Sequence, residues 1–221
     1  MAKPFEIITE ADARRLVPGD SVTLARHGHV TPLAADTLRE RRITVVRESE
    51  PGPEEAALVP TADIRTVAIA SDHTGIALRR ALVAYLRSRG QAVTDLGVDG
   101  TDPVDYPDVA AAVAFAVARR EADAGIVIDG AGIGSAMAAN KVPGIRAAMA
   151  TTTLVARYSR EHNGANVLTL GSTLLTEAEA REIVTTWLTT PMREPRYIRR
   201  LRKIRDLEER AVDESAAGRL R

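Results

Sequence analysis

Thr66-Val67-Ala68-Ile69-Ala70-Ser71-Asp72-His73-Thr74-Gly75 is the stretch that decides the fold. An apolar strand, Val67–Ala70, runs into a polar turn and then into a helix, Gly75–Arg89. Leu78, Leu82, Tyr85 and Leu86 share one face of that helix, and Gly90 stops it. The alternation then repeats downstream. Ala92–Leu96 reads as a strand, Gly97–Pro107 as a loop, and Asp108–Arg119 as a helix with Pro107 in its first turn. Gly125–Ile128 is a buried-type strand, followed by a glycine-rich loop and a short helix to Lys141. Arg146–Ala150 is a strand, Thr153–Glu161 a helix and Asn166–Leu170 a strand. Thr176-Glu177-Ala178-Glu179 is a capping box that opens a helix through Leu188.

Five β-then-α units predict an α/β domain with a doubly wound, five-stranded parallel sheet of the Rossmann-like class over residues 64–195. Ligands of such sheets sit beyond the carboxyl ends of the strands. Residues 196–221 read as a charged helix, to about Arg210, and a polar tail. Upstream, residues 1–47 form a small α+β extension. In it Thr9 caps a short helix with Asp12 reaching back, Val22–Leu24 and Ile43–Val46 are strands, and Leu33–Arg41 is helical. Residues 48–63, with their prolines and glutamates, read as a linker.

Composition narrows the function classes. Hydrophobic residues make up 45% of the 221 residues and aromatics only 3%, so aliphatic side chains must fill the core. Thirty basic and thirty acidic residues cancel, which argues against nucleic acid or an anionic membrane as a partner. With no cysteine there is no thiolate nucleophile and no cysteine metal site. No apolar run approaches a membrane span of about 18 residues. The start, Met1-Ala2-Lys3-Pro4-Phe5-Glu6, lacks the pattern of a signal peptide, so a cytoplasmic protein is expected.

Four constellations carry chemistry. Asp72 and His73, at a strand end before a helix, suit a polyol phosphate, although the same residues also read as a helix-capping turn. Asp129-Gly130-Ala131-Gly132-Ile133-Gly134-Ser135 can turn backbone N–H groups toward an oxyanion. Its G-x-G-x-G spacing is not the dinucleotide fingerprint, and a flexible strand-to-helix turn is the plainer reading. Arg160-Glu161-His162-Asn163 offers polar groups at a helix end, where Asn163 or Gly164 also suits a left-handed C-cap. In Arg196-Tyr197-Ile198-Arg199-Arg200, arginines four apart share a helix face and can clamp a phosphate, or simply face solvent.

Taken together, these motifs resemble the ribose-5-phosphate isomerase B and galactose-6-phosphate isomerase family over about residues 65–205. That pattern runs S/C-D-H-x-G, D-Y-P, a C-G-T-G-I-G-type loop, A-A-N-K-x-x-G-I-R-A, R-x-H-N and R-H-x-R-R. This sequence carries Ser71–Gly75, Asp105-Tyr106-Pro107, Ala138–Ala147, Arg160–Asn163 and Arg196–Arg200 in the same order. The resemblance implies a cofactor-free, metal-free isomerase of phosphorylated sugars, ribose 5-phosphate by default. It also implies a homodimer or homotetramer with an active site shared between subunits. His162 would assist ring opening, and Gly130, Gly132 and Gly134 would supply N–H groups to an enediolate. Asp72, Tyr106 and Asn163 would hold sugar hydroxyls, and His73, Arg196 and Arg200 the phosphate.

Two departures stand out. The family base is a cysteine at the position of Asp129 or a glutamate at that of Ser135, and its G-x-R arginine is Thr173 here. A carboxylate can carry the same proton between carbons, so Asp129 is the expected base. The alternative is a loop-ordering Asp129 in a non-catalytic sugar-phosphate-binding or assembly protein. The extension also resembles short segments of bacterial microcompartment enzymes, through Ile8–Asp12, Val30–Ala34 and Arg42–Val46. That resemblance implies targeting or assembly with a microcompartment shell or cargo.

Overall fold

The computed structural model describes residues 4–47, 56–100 and 102–217. The chain divides into two units, Met1–Gly52 and Pro53–Arg221. Of the expected 48–63 linker, residues 48–55 lie outside the described residues.

In the first unit, strands β1 (Phe5–Ile8), β2 (Ser21–Val30) and β3 (Thr44–Arg47) alternate with helices α1 (Glu10–Arg15) and α2 (Pro32–Glu40). The strands pair in parallel in the order β1-β2-β3. Thr9 and Asp12 close the capping box that the sequence predicts. Ile8, Ala13, Leu24, Ala34 and Leu38 form the core. β1 is the element that the sequence pattern misses. β1 is defined by its pairing with β2.

The second unit runs β4 (Thr66–Ser71), α3 (Ile76–Ser88), β5 (Ala92–Asp95), α4 (Tyr106–Ala118), β6 (Ala124–Asp129), α5 (Ile133–Ala139), β7 (Ala147–Met149), α6 (Thr153–Glu161), β8 (Val167–Gly171), α7 (Glu177–Thr189) and α8 (Pro195–Ala216). Its five strands are all parallel, in the order β5-β4-β6-β8-β7. Each face of the sheet has its own apolar layer. Leu78, Leu82, Leu86, Ile183 and Trp187 cover Ile69, Ile126 and Leu168, while Val109, Val113 and Val117 join Ala68, Ala70 and Val127. Because both faces are covered, every residue of β6 is buried.

From β4 the chain steps out to β5 on one side and then to β6 on the other. The crevice at this switch point, beyond the carboxyl ends of β4 and β6, is where such sheets bind ligands. Asp72 follows the last residue of β4, and Asp129 ends β6. The segment before β4 is packed down rather than loose. Leu58 and Val59 lie against Met192, Tyr197, Ile198 and Leu201. Arg146 Nη2 donates to the Leu58 carbonyl at 3.0 Å, and Arg160 Nη2 to that of Thr61 at 2.9 Å. Helix α8 continues to Ala216, past the expected Arg210, helped by the i,i+4 pair Arg205–Glu209 at 3.5 Å.

Candidate active site

At the carboxyl edge of the sheet, Asp72 is only 6% exposed. Its Oδ1 accepts from the Thr74 N–H (2.9 Å), the Thr74 hydroxyl (2.6 Å) and the Gly75 N–H (3.3 Å). One carboxylate oxygen therefore orders the turn, but the N-cap of α3 is Gly75, without a side-chain cap, and not Asp72 as the capping alternative expects. His73 is exposed, and its Nδ1 accepts from the Val104 N–H at 3.3 Å. That bond assigns the proton of the neutral ring to Nε2, making Nε2 the donor. The loop carrying Val104 is anchored by the buried Arg79, which donates to Asp95 (2.9 Å) and Asp99 (2.5 Å).

The ring of Tyr106, which follows the same loop, stands against Gly134. A Cβ at Gly134 would stand 2.5 Å from the ring. Gly132 is required for a different reason. It has φ +77°, and a Cβ there would meet the backbone of Leu170 at 2.9 Å.

Asp129 is 4% exposed and saturated by its own loop. Oδ1 accepts from the N–H groups of Ala131 (2.8 Å) and Gly132. Oδ2 accepts from the Ser135 N–H (2.9 Å) and the Ser135 hydroxyl (2.5 Å). The Gly132 N–H, expected to face an enediolate, is thus occupied by Asp129. Thr173, at the position of the family arginine, donates through its N–H (3.0 Å) and hydroxyl (2.6 Å) to the Gly130 carbonyl.

The other expected residues gather elsewhere. His162 caps the end of α6, stacked on Tyr158 with ring centroids 4.6 Å apart at 16°. Tyr197 of α8 lies on it as well, at 4.5 Å and 38°. The Arg196 guanidinium sits 4.6 Å from the Tyr197 ring centroid and donates to the Tyr197 hydroxyl at 2.8 Å. That of Arg200 lies 5.5 Å from the same centroid. Asn163 is exposed in the turn that follows, and Gly164 takes the left-handed position there with φ +58°. Beneath this cluster the Arg160 guanidinium is buried over Trp187, 4.8 Å from its ring centroid. Burial, and after it the neighbouring Arg146 charge, pushes Arg160 down to about 10, so at neutral pH it remains a cation.

These two clusters lie at opposite edges of the sheet. Helix α6 runs back from the carboxyl end of β7, so His162 precedes the start of β8, whereas Asp129 pairs with Gly171 at the far end of β8. From Val167 to Gly171 the strand alone rises roughly 13 Å at about 3.3 Å per residue. Within one chain, then, Asp72, His73, Tyr106 and Asp129 come together, and His162, Asn163, Arg196 and Arg200 come together, but the two groups do not meet.

Tyr158, stacked on His162, was not singled out by sequence. Tyr158 had a legible signal, standing four residues before His162 on one helix face. Among the described residues, no group of His, Asp or Glu side chains is arranged to hold a metal ion, and no helix is long and apolar enough to cross a membrane.

Comparison with known proteins agrees with this architecture. Residues 67–204 match the Ribose/Galactose Isomerase family. The ribose-5-phosphate isomerase B of Escherichia coli (strain K12) is 40% identical over 147 residues, 66% of this chain and 99% of that protein. The solved ribose-5-phosphate isomerase B of Clostridium thermocellum is 46% identical with a TM-score of 0.65, covering 66% of this chain and 99% of that one. That of Mycoplasma genitalium, solved with bound ribulose-5-phosphate, is 40% identical with a TM-score of 0.63, covering 65% and 96%. With its sheet order, its motifs in register and more than half its length matched, the chain belongs to the Ribose/Galactose Isomerase family of sugar-phosphate isomerases.

Proposed function

We propose that this isomerase interconverts ribose 5-phosphate and ribulose 5-phosphate through an enediol, at sites each completed by a second copy of the chain. One observation carries the reading. Asp72, His73, Tyr106 and the Asp129 loop converge at the switch point of the sheet, while the remaining polar groups of the family pattern form a second cluster at its other edge. Two copies that bring unlike edges together would make whole sites.

In such a site His162 of one copy passes a proton from the anomeric hydroxyl to the ring oxygen as the bond from C1 to the ring oxygen breaks, which opens the sugar to the free aldehyde. Asp72, Tyr106 and Asn163 hold hydroxyls, and His73, Arg196 and Arg200 hold the phosphate. Asp129 then takes the C2 proton of the aldose, and the C2 electron pair moves onto C1 and its oxygen. Returning that proton to C1, while the O2 proton passes to O1, leaves a hydroxyl at C1 and the ketone at C2. The reaction is redox-neutral overall and asks only for proton transfer and for hydrogen bonds to the enediolate. The Asp129 lone pair needed is the one on Oδ2 that now accepts from Ser135, and rotation of that hydroxyl releases it.

A second reading is favoured by the same carboxylate. Four donors from its own loop satisfy Asp129, as in a residue whose task is to order the loop of a sugar-phosphate binder. One experiment separates the two. The protein is incubated in heavy water with a panel of phosphorylated pentoses, tetroses and hexoses. Deuterium entering C1 or C2 of ribose 5-phosphate supports the isomerase reading, and binding without exchange for every sugar supports the binder.

The first unit lies outside the family-matched residues. We assign it the targeting or assembly role in a microcompartment that its segments suggest. Residues 1–52 fused to a fluorescent protein should co-sediment with shells, and uniform distribution of the fusion would remove this assignment.

A further inference from the structure

We infer that Tyr197 is a positioning residue that couples the ring-opening group to the phosphate clamp. The inference rests on the isomerase reading and deepens it. Tyr197 is buried, and one ring meets three polar side chains. On His162 it lies 4.5 Å from the imidazole centroid, with Tyr158 at 4.6 Å as the second aromatic neighbour of that imidazole. The imidazole is thus packed against two aromatic rings, which fixes its plane and the direction of its nitrogens. On the arginine side the Tyr197 hydroxyl accepts from Arg196 at 2.8 Å, and the ring attracts both the Arg196 and Arg200 guanidiniums.

The ring and the hydroxyl therefore have separable tasks. The ring holds His162 and gives the arginines a π surface, while the hydroxyl aims Arg196. In the family pattern quoted above this position is a histidine. An imidazole there would offer a smaller ring and no phenolic oxygen. Helix α8 is itself seated by Leu58 and Val59, packed against Tyr197, Ile198 and Leu201. The Tyr197 side chain is accordingly fixed from behind as well.

The test compares Tyr197→Phe with Tyr197→Leu in the full-length chain. Folding is monitored by the fluorescence of Trp187, the only tryptophan of the chain and a buried one. Tyr197→Phe keeps the ring and loses the hydroxyl. It should raise KM for ribose 5-phosphate, and weaken binding of inorganic phosphate, by about tenfold, the scale of one hydrogen bond to a charged group, while changing kcat by less than about twofold. Tyr197→Leu removes the stack as well and should lower kcat by about tenfold or more, since a misaimed general acid–base group loses its contribution. A purely structural role would lower thermal stability without splitting KM from kcat between the two variants, and that result would overturn the inference. Phosphate titration is read without turnover. A wild type that turns nothing over would therefore sink the isomerase reading, whereas equal phosphate affinity of wild type and Tyr197→Phe would sink the assignment of Tyr197.

Discussion

The Ser135 hydroxyl donates to Asp129 Oδ2 at 2.5 Å, and both residues are buried at the carboxyl edge of the sheet. This contact sets the experiment on the base. Asp129→Asn keeps the shape of the side chain and removes the proton acceptor. Isomerisation should fall by about 100-fold or more, the range of a positioned general base, while phosphate binding persists. Ser135→Ala takes away one donor and leaves the base. It should cost about 1.5–3 kcal/mol of stability, as for a hydrogen bond to a charged group, with turnover within about threefold. Undiminished exchange in Asp129→Asn, followed by mass spectrometry in heavy water, would place the base elsewhere.

Gly134 faces the Tyr106 ring at a distance that no Cβ tolerates. Gly134→Ala improves helix propensity in α5 but pushes the exposed Tyr106 ring aside. Thermal stability should hold or rise slightly, whereas KM for the sugar phosphate should rise several-fold, about 1 kcal/mol of lost binding for one displaced hydrogen-bonding side chain. A variant with unchanged KM would take Tyr106 out of the substrate site.

Asp123 ties the start of β4 to β6. Its Oδ2 accepts from the Arg65 N–H (2.9 Å), the Thr66 N–H (2.8 Å) and the Thr66 hydroxyl (2.8 Å). Burial alone pushes this carboxyl up, but the Thr66 and Arg65 donors together outweigh it and hold the carboxyl below the ordinary aspartate value. With its value depressed in the fold, Asp123 contributes stability that is complete above the unfolded value, about 3.9, and is lost as pH falls through the folded value. The stability difference between wild type and Asp123→Asn should therefore be flat from about pH 5 to 8 and shrink in acid. Urea titrations at several pH values read it directly, and a difference that grows in acid would contradict this sign.

Much of this was legible in the sequence, for physical reasons that differ by element. The five strands of the second unit announce themselves because apolar runs such as Val67–Ala70 and Gly125–Ile128 sit between polar turns. The capping boxes at Thr9 and Thr176 are local, closed within four residues, and appear as read. Asp72 and Asp129 are placed by strand ends, which the pattern also marks. What stayed hidden depends on tertiary contact. Gly134 reads as a donor of an N–H, yet its missing side chain makes room for Tyr106. Asp129 reads as a base, and no spacing reveals that Ser135 caps the same oxygen. The separation of His162 from Asp129 follows from the reversal of direction through α6, which motif order along the chain does not display.

The most direct test of the account uses two variants together. Asp129→Asn disables the carboxyl-edge cluster and His162→Ala the other. Each alone should be nearly inactive. If each site takes one cluster from each of two copies, co-expressing the variants restores whole sites. Random pairing makes about half the dimers mixed, each with one intact site of two, so activity should return to about a quarter of wild type. Recovery to that level is the predicted result. Mixed protein as inactive as either variant, with mixed dimers demonstrated by mass spectrometry, would contradict a site built from two copies.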